Sequence, residues 1–185
     1  MEAPIVILTG ERGAGKSTAC EQLVTLARAR GYTCGGLITR RLADDQREVL
    51  EVASGVARRL TLPVAMPDGE PHTVVQGQYR FDPLVLEWAA ASLTRALPCH
   101  LLVVDELGPL EIIHGRGWTQ AFAVLADNGF ALAVVVVRPE LIAAAQARLP
   151  CSATSVLRLS EENRDQIPRA LLQTLAAHHP PPSTP

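Results

Sequence analysis

Eight consecutive residues, Gly10, Glu11, Arg12, Gly13, Ala14, Gly15, Lys16 and Ser17, fit the pattern G-x-x-x-x-G-K-[ST] in full. Each residue type has a physical reason to be there. A backbone that wraps a phosphate needs conformations open to glycine and close approach without a Cβ. Its N–H groups then point inward at the anion, and the positive end of a helix opening near Lys16 adds to the attraction. Lys16 would reach the β- and γ-phosphates of a nucleoside triphosphate, Ser17 would bind Mg²⁺ through its hydroxyl, and Thr18 would sit near the α-phosphate. Lys16 is also the only lysine among 17 basic residues. A chain that otherwise uses arginine has kept one slim ammonium where a planar guanidinium would not fit.

A second constellation reads Leu101-Leu-Val-Val-Asp105-Glu106. An apolar strand ending in an acid can present a carboxylate to Mg²⁺, directly or through water. Asp105 takes that role. Glu106 points the other way along the chain and can orient and deprotonate a water for attack on the γ-phosphate. Glu111 is a weaker candidate, as a supporting residue. Transition-state charge calls for a further cation. Arg12, Arg40, Arg41, Arg116 and Arg138 are the candidates, and Arg138 comes first because it follows the apolar run Val134 to Val137. No Asn-Lys-x-Asp guanine signature exists.

These residues need a scaffold. Pro4–Thr9, Cys34–Thr39, His100–Asp105, Phe130–Val137 and Thr154–Leu159 read as buried or strand-like runs. Ser17–Arg30, Pro83 to about Leu97, Trp118–Ala126 and Glu140–Leu149 read as helices, with a last helix carrying Pro168 in its first turn. Asp82 caps the helix that begins at Pro83. The alternation predicts an α/β fold with a mainly parallel sheet. Residues 40–80 break it: Asp44-Asp45-Gln46 is a turn, Glu48–Ala53 an antiparallel return strand, and the Pro- and Gly-rich stretch 63–77 a loop. A further loop spans 107–117, and Ser160 is placed to cap the segment after it. The reading is one domain over 1–177, with 40–80 as an antiparallel insertion and 178–185 as a disordered tail.

Composition narrows the class. The net charge of −2 offers no basic excess for a polyanion, which argues against nucleic-acid binding. No apolar run is long enough to span a bilayer. The N-terminus has no basic residue before Arg12, so no signal peptide is expected. Four cysteines without a Cys-x-x-Cys pair fit thiols in a reducing cytoplasm.

Several stretches together resemble the THEP-type nucleoside-triphosphatase family, known in animals as the cancer-related nucleoside-triphosphatase. They are Leu8-Thr-Gly-Glu-Arg-Gly-Ala-Gly-Lys-Ser-Thr18, Gly35-Gly-Leu-Ile-Thr39, Val104-Asp-Glu-Leu-Gly-Pro-Leu-Glu111 and Glu161-Glu-Asn-Arg164. The resemblance implies a three-layer, RecA-like P-loop fold in which a further strand separates the phosphate-loop strand from the Asp105 strand. It also implies Mg²⁺-dependent hydrolysis of several nucleoside triphosphates, ATP and GTP among them, to diphosphate and phosphate. The return strand, Arg47-Glu-Val-Leu50, departs from the family pattern by lacking a glycine and an aromatic after the basic residue. Two other functions use the same loop: a kinase that passes the γ-phosphate to a small acceptor, and a binding module whose slow hydrolysis resets a conformation. Base preference and oligomeric state leave no mark in the sequence.

Overall fold

The computed structural model describes residues 3–62, 74–76, 79–150 and 154–181. In chain order the elements are β1 (Ile5–Thr9), α1 (Lys16–Arg28), β2 (Cys34–Arg41), β3 (Arg47–Glu51), β4 (Ala57–Arg59), β5 (Thr61–Leu62), β6 (Val74–Gln76), β7 (Tyr79–Phe81) and α2 (Pro83–Thr94). They continue with β8 (Cys99–Val104), α3 (Pro109–Ile112), α4 (Gln120–Asp127), β9 (Phe130–Val136), α5 (Ile142–Gln146), β10 (Thr154–Arg158) and α6 (Ile167–His178).

The large sheet runs β10-β1-β9-β8-β2-β3-β4. Its first five strands are parallel, and β3 and β4 add on antiparallel. The interior strands β1, β9 and β8 are apolar almost throughout because both of their faces are covered. Side chains alternate between the faces. Ile5, Ile7, Leu102, Val104 and Val135 pack with α2 and α4, while Val6, Leu8, Leu101, Val103 and Val134 pack with α1 and α6. The result is helix, sheet, helix in three layers. Strand β9 lies between β1 and β8, the separation that the family resemblance implied. A second, small antiparallel sheet, β5-β7-β6, sits within the segment that breaks the alternation.

Some elements differ from their sequence reading. Four residues of the expected 107–117 loop form α3, because Pro109 opens a helical turn whose end is closed by Ile113 N–H to Pro109 O. The helix expected from Trp118 begins at Gln120, and Trp118 turns inward instead. Only Ile142–Gln146 of the helix expected over 140–149 is α-helical. Asp82 caps α2 as expected, accepting from Leu84 N–H at 2.9 Å. Ser160 caps no helix: its own N–H donates to Asn163 Oδ1 at 2.8 Å, in a turn that precedes α6. Within the stretch 63–77 read as a loop, Val74–Gln76 is a strand, and 63–73 and 77 lie outside the described residues. In the tail, His178 closes α6, and 182–185 lie outside the described residues. No described helix is long and apolar enough to cross a membrane.

One glycine decides how closely two site-bearing strands approach. Gly36 has φ of 103°, and a Cβ there would lie 1.9 Å from Val103 O on β8. Gly36→Ala should therefore force β2 from β8 or strain the backbone, costing about 3 kcal/mol. Urea denaturation measures this. A loss under about 1 kcal/mol would show that the strands yield easily.

Candidate active site

All five parallel strands end on the same edge of the sheet, so the segments after β1, β8 and β9 meet there. They surround a cleft of about 720 Å³. The loop after β1 holds Gly10, Gly13 and Gly15 at φ of 151°, 82° and 100°. Gly10 must also lack a side chain, since a Cβ there would lie 2.3 Å from Leu159 O. Gly15 precedes the first turn of α1, and no side chain caps that turn. Its N–H groups are thus free to receive an anion.

Lys16 folds back over the loop. Its Nζ donates to Gly10 O at 2.7 Å and Glu11 O at 2.8 Å. Burial lowers its pKa, opposed by the nearby charges of Asp105 and Glu106. Glu11, Arg12, Gly13 and Ser17 also line the cleft. Ala14, Gly15 and Thr18 do not. Ala14 is buried behind the loop, and Thr18 faces solvent on α1.

Asp105 is 1% exposed, at the end of β8. Its Oδ2 accepts from Thr39 N–H at 3.1 Å. Burial pushes its carboxyl up to about 7, against a hydrogen bond from Ser17 that favours the charged form. Ser17 and Asp105 thus stand side by side as hard oxygen donors. The Thr39 hydroxyl close by is buried without a partner among the described residues. An all-oxygen set with a buried carboxylate fits a hard divalent ion such as Mg²⁺, which takes few protein ligands and completes its shell with phosphate and water.

Glu106 has φ of 66°, a left-handed conformation that is uncommon for a residue with a side chain. This turns the chain sharply after Asp105, so the two acids diverge: both line the cleft, Asp105 from a buried position and Glu106 from a partly exposed one. Arg138, just past β9, donates from Nη2 to Glu106 Oε1 at 3.0 Å. Of the five candidate arginines, Arg12 and Arg138 line the cleft. Arg40 is bound to Glu21 at 2.7 Å and Arg41 to Asp45 at 2.7 Å. Arg116 is exposed outside the cleft.

Glu111 is 3% exposed and holds the 108–118 segment together. Its Oε2 accepts from Gly108 N–H at 3.0 Å and its Oε1 from Trp118 N–H at 3.4 Å. Burial pushes this carboxyl up to about 7, above its ordinary 4.5. The folded state therefore binds a proton that the unfolded state has released between those values. Stability falls as pH rises through that window, by up to about 3 kcal/mol. Glu111→Gln should remove this contribution. Urea denaturation at pH 5 and pH 8 would show the variant losing less stability than the parent protein, and parallel profiles would refute the assignment.

Two cleft residues escaped the sequence reading. Arg47 Nη2 donates to Tyr79 Oη at 3.1 Å, and Arg12 Nη2 donates to the same oxygen at 3.4 Å. A signal for Arg47 did exist. A return strand begins where its partner ends, so the start of β3 must lie beside the end of β2, at the edge that holds the site.

Residues 5–172 match the family model described as NTPase. A "Nucleoside-triphosphatase THEP1" of Methanosarcina acetivorans is 27% identical over 90% of this chain and 93% of its own length. One of Methanopyrus kandleri is 31% identical over 58% of this chain and 59% of its own length. Among solved structures, a human cancer-related nucleoside triphosphatase superposes with a TM-score of 0.73 at 22% identity, covering 95% of this chain and 98% of that one. THEP1 from Aquifex aeolicus gives 0.68 at 19% identity, over 92% and 98%. At these identities the two structures show the fold, and the fold is shared across almost the whole chain. With a family model spanning most of its length, and with the phosphate-loop architecture described above, this protein belongs to the NTPase family.

Proposed function

We propose that this protein is a Mg²⁺-dependent nucleoside-triphosphatase that releases diphosphate and phosphate and accepts several bases. The convergence of Lys16, Ser17, Asp105 and Glu106 on one cleft, behind a glycine loop open to an anion, carries this reading. The names of its archaeal relatives support the activity.

The loop amides and Lys16 bind and neutralise the β- and γ-phosphates. Ser17 and Asp105 would hold Mg²⁺, which would supply Lewis-acid neutralisation of phosphate charge. Glu106 accepts the proton of the attacking water as its oxygen bonds to Pγ, and the diphosphate departs with the electrons of the broken bond. Arg138 holds Glu106 in place through its hydrogen bond, and lies within reach of charge developing on the γ-phosphate. Loose base choice agrees with the placement of Thr18, past which the nucleoside would run along exposed α1 surface. The free cysteines Cys20, Cys34 and Cys99 suit a reducing cytoplasm.

The test is a turnover screen across the common ribonucleoside triphosphates, with and without Mg²⁺. Phosphate release from several of them, lost on chelation, is expected. No release from any would overturn the proposal.

A further inference from the structure

The cleft does not end at the reacting phosphate. Beyond Glu106 it is walled by Leu60, Phe81, Leu86, Leu107, Leu110 and Trp118. A triphosphate in the glycine loop does not account for these residues. Its γ end lies at Lys16 and Asp105, and its nucleoside end leaves past Ser17 toward Thr18. On that nucleoside side lies Arg164, whose Cδ is 3.9 Å from where a Gly15 Cβ would stand. Neither Thr18 nor Arg164 lines the cleft. The apolar walls therefore stand on the far side of the γ-phosphate from the base.

Polar groups in this far half are few, as in small-molecule sites, and the Glu111 carboxylate among them is taken up by the Gly108 and Trp118 backbone N–H groups. Arg12 and Arg47 meet at the Tyr79 hydroxyl, and Arg47 also stacks 5.2 Å from the centre of the Tyr79 ring. Among the described residues neither guanidinium has a carboxylate within ion-pair distance. Two converging arginines that pair with no described acid match a phosphate or carboxylate in charge and in hydrogen-bond geometry. Trp118 is 3% exposed, and its indole N–H has no acceptor among the described residues. A buried donor left so is costly, and a ligand acceptor would relieve it.

We propose that this half of the cleft is a second binding compartment, for a heteroaromatic phosphomonoester of the size of a nucleoside monophosphate. Its ring lies between the apolar walls and offers an acceptor to the Trp118 indole. Its phosphate is held by Arg12 and Arg47, at the γ end of the bound triphosphate. The proposal rests on the glycine loop being the triphosphate site, as argued under the proposed function.

Calorimetry separates the two claims. The full chain is first loaded with Mg²⁺ and a β,γ-imido triphosphate, then titrated with uridine 5′-monophosphate and, separately, with phenyl phosphate, which has a ring but no ring acceptor. Expected are one-to-one binding of the nucleotide to the loaded protein and weaker binding of phenyl phosphate. Arg47→Gln should weaken the nucleotide roughly tenfold through loss of a charge-assisted hydrogen bond. Phe81→Ala should weaken it too, while both variants bind the imido triphosphate normally. Monophosphate that binds only unloaded protein, or that binds both variants as tightly as the parent, would overturn the second compartment and leave the triphosphate site intact. A protein that takes up no imido triphosphate would instead remove the reading beneath it.

Discussion

Glu106→Gln is expected to bind Mg²⁺ and triphosphate about as well as the parent protein and to release phosphate roughly 10²- to 10⁴-fold more slowly. The substitution is nearly isosteric, so the unusual turn at φ of 66° and the hydrogen bond from Arg138 can both persist. What disappears is the basic oxygen that takes the proton. Because Asp105 is buried and the backbone turn at Glu106 directs the two acids apart, the carboxylate proposed to hold the metal is left untouched. Binding and single-turnover hydrolysis, measured on the same preparation, separate the two effects. Hydrolysis by the Gln variant at the parent rate would remove Glu106 from the mechanism and leave Arg138 as an ordinary ion-pair partner.

Lys16→Ala should be more damaging, because it touches binding and chemistry together. The ammonium sits against Gly10 O and Glu11 O at 2.7 and 2.8 Å, which fixes it above the loop before any ligand arrives. Such a preorganised cation acts on charge as it develops and costs no rearrangement at that moment. Its loss should lower turnover by roughly 10²- to 10³-fold or more and weaken triphosphate binding as well. Lys16→Arg should fail almost as badly, since the wider, planar guanidinium cannot occupy the same gap between two carbonyls. That variant tests why an arginine-rich chain carries one lysine. Full activity with arginine would mean that the lone lysine reflects only composition. Circular dichroism and urea denaturation should show both variants folded, because Lys16 is only half-buried and packs in no apolar cluster.

Much of this site is legible in the sequence because its information is local. The glycine loop encodes its conformation within eight residues, and the strand before it and helix after it are visible in the apolar pattern. Asp105 and Glu106 announce themselves at the end of a buried strand, and the alternation of strands and helices implies the parallel sheet that gathers them at one edge. The β9 insertion between β1 and β8 was different. It came from family resemblance, since strand order leaves no trace in periodicity.

Contacts between distant stretches were decided by the tertiary structure alone. Arg138 finds Glu106 across 32 residues, Thr39 finds Asp105 across 66, and Arg12 finds Tyr79 across 67. Arg40 is drawn off to Glu21 on α1 and to Glu48, its register partner on β3, and Arg41 to Asp45 in the turn between the two strands. Trp118, read from the sequence as the first residue of a helix, becomes a wall of the cleft because the 108–118 segment is pinned by Glu111. A residue's type and its near neighbours state what it can do and which way the backbone runs through it. What it meets depends on which strands pair, and in what register, and that is an outcome of packing the whole chain.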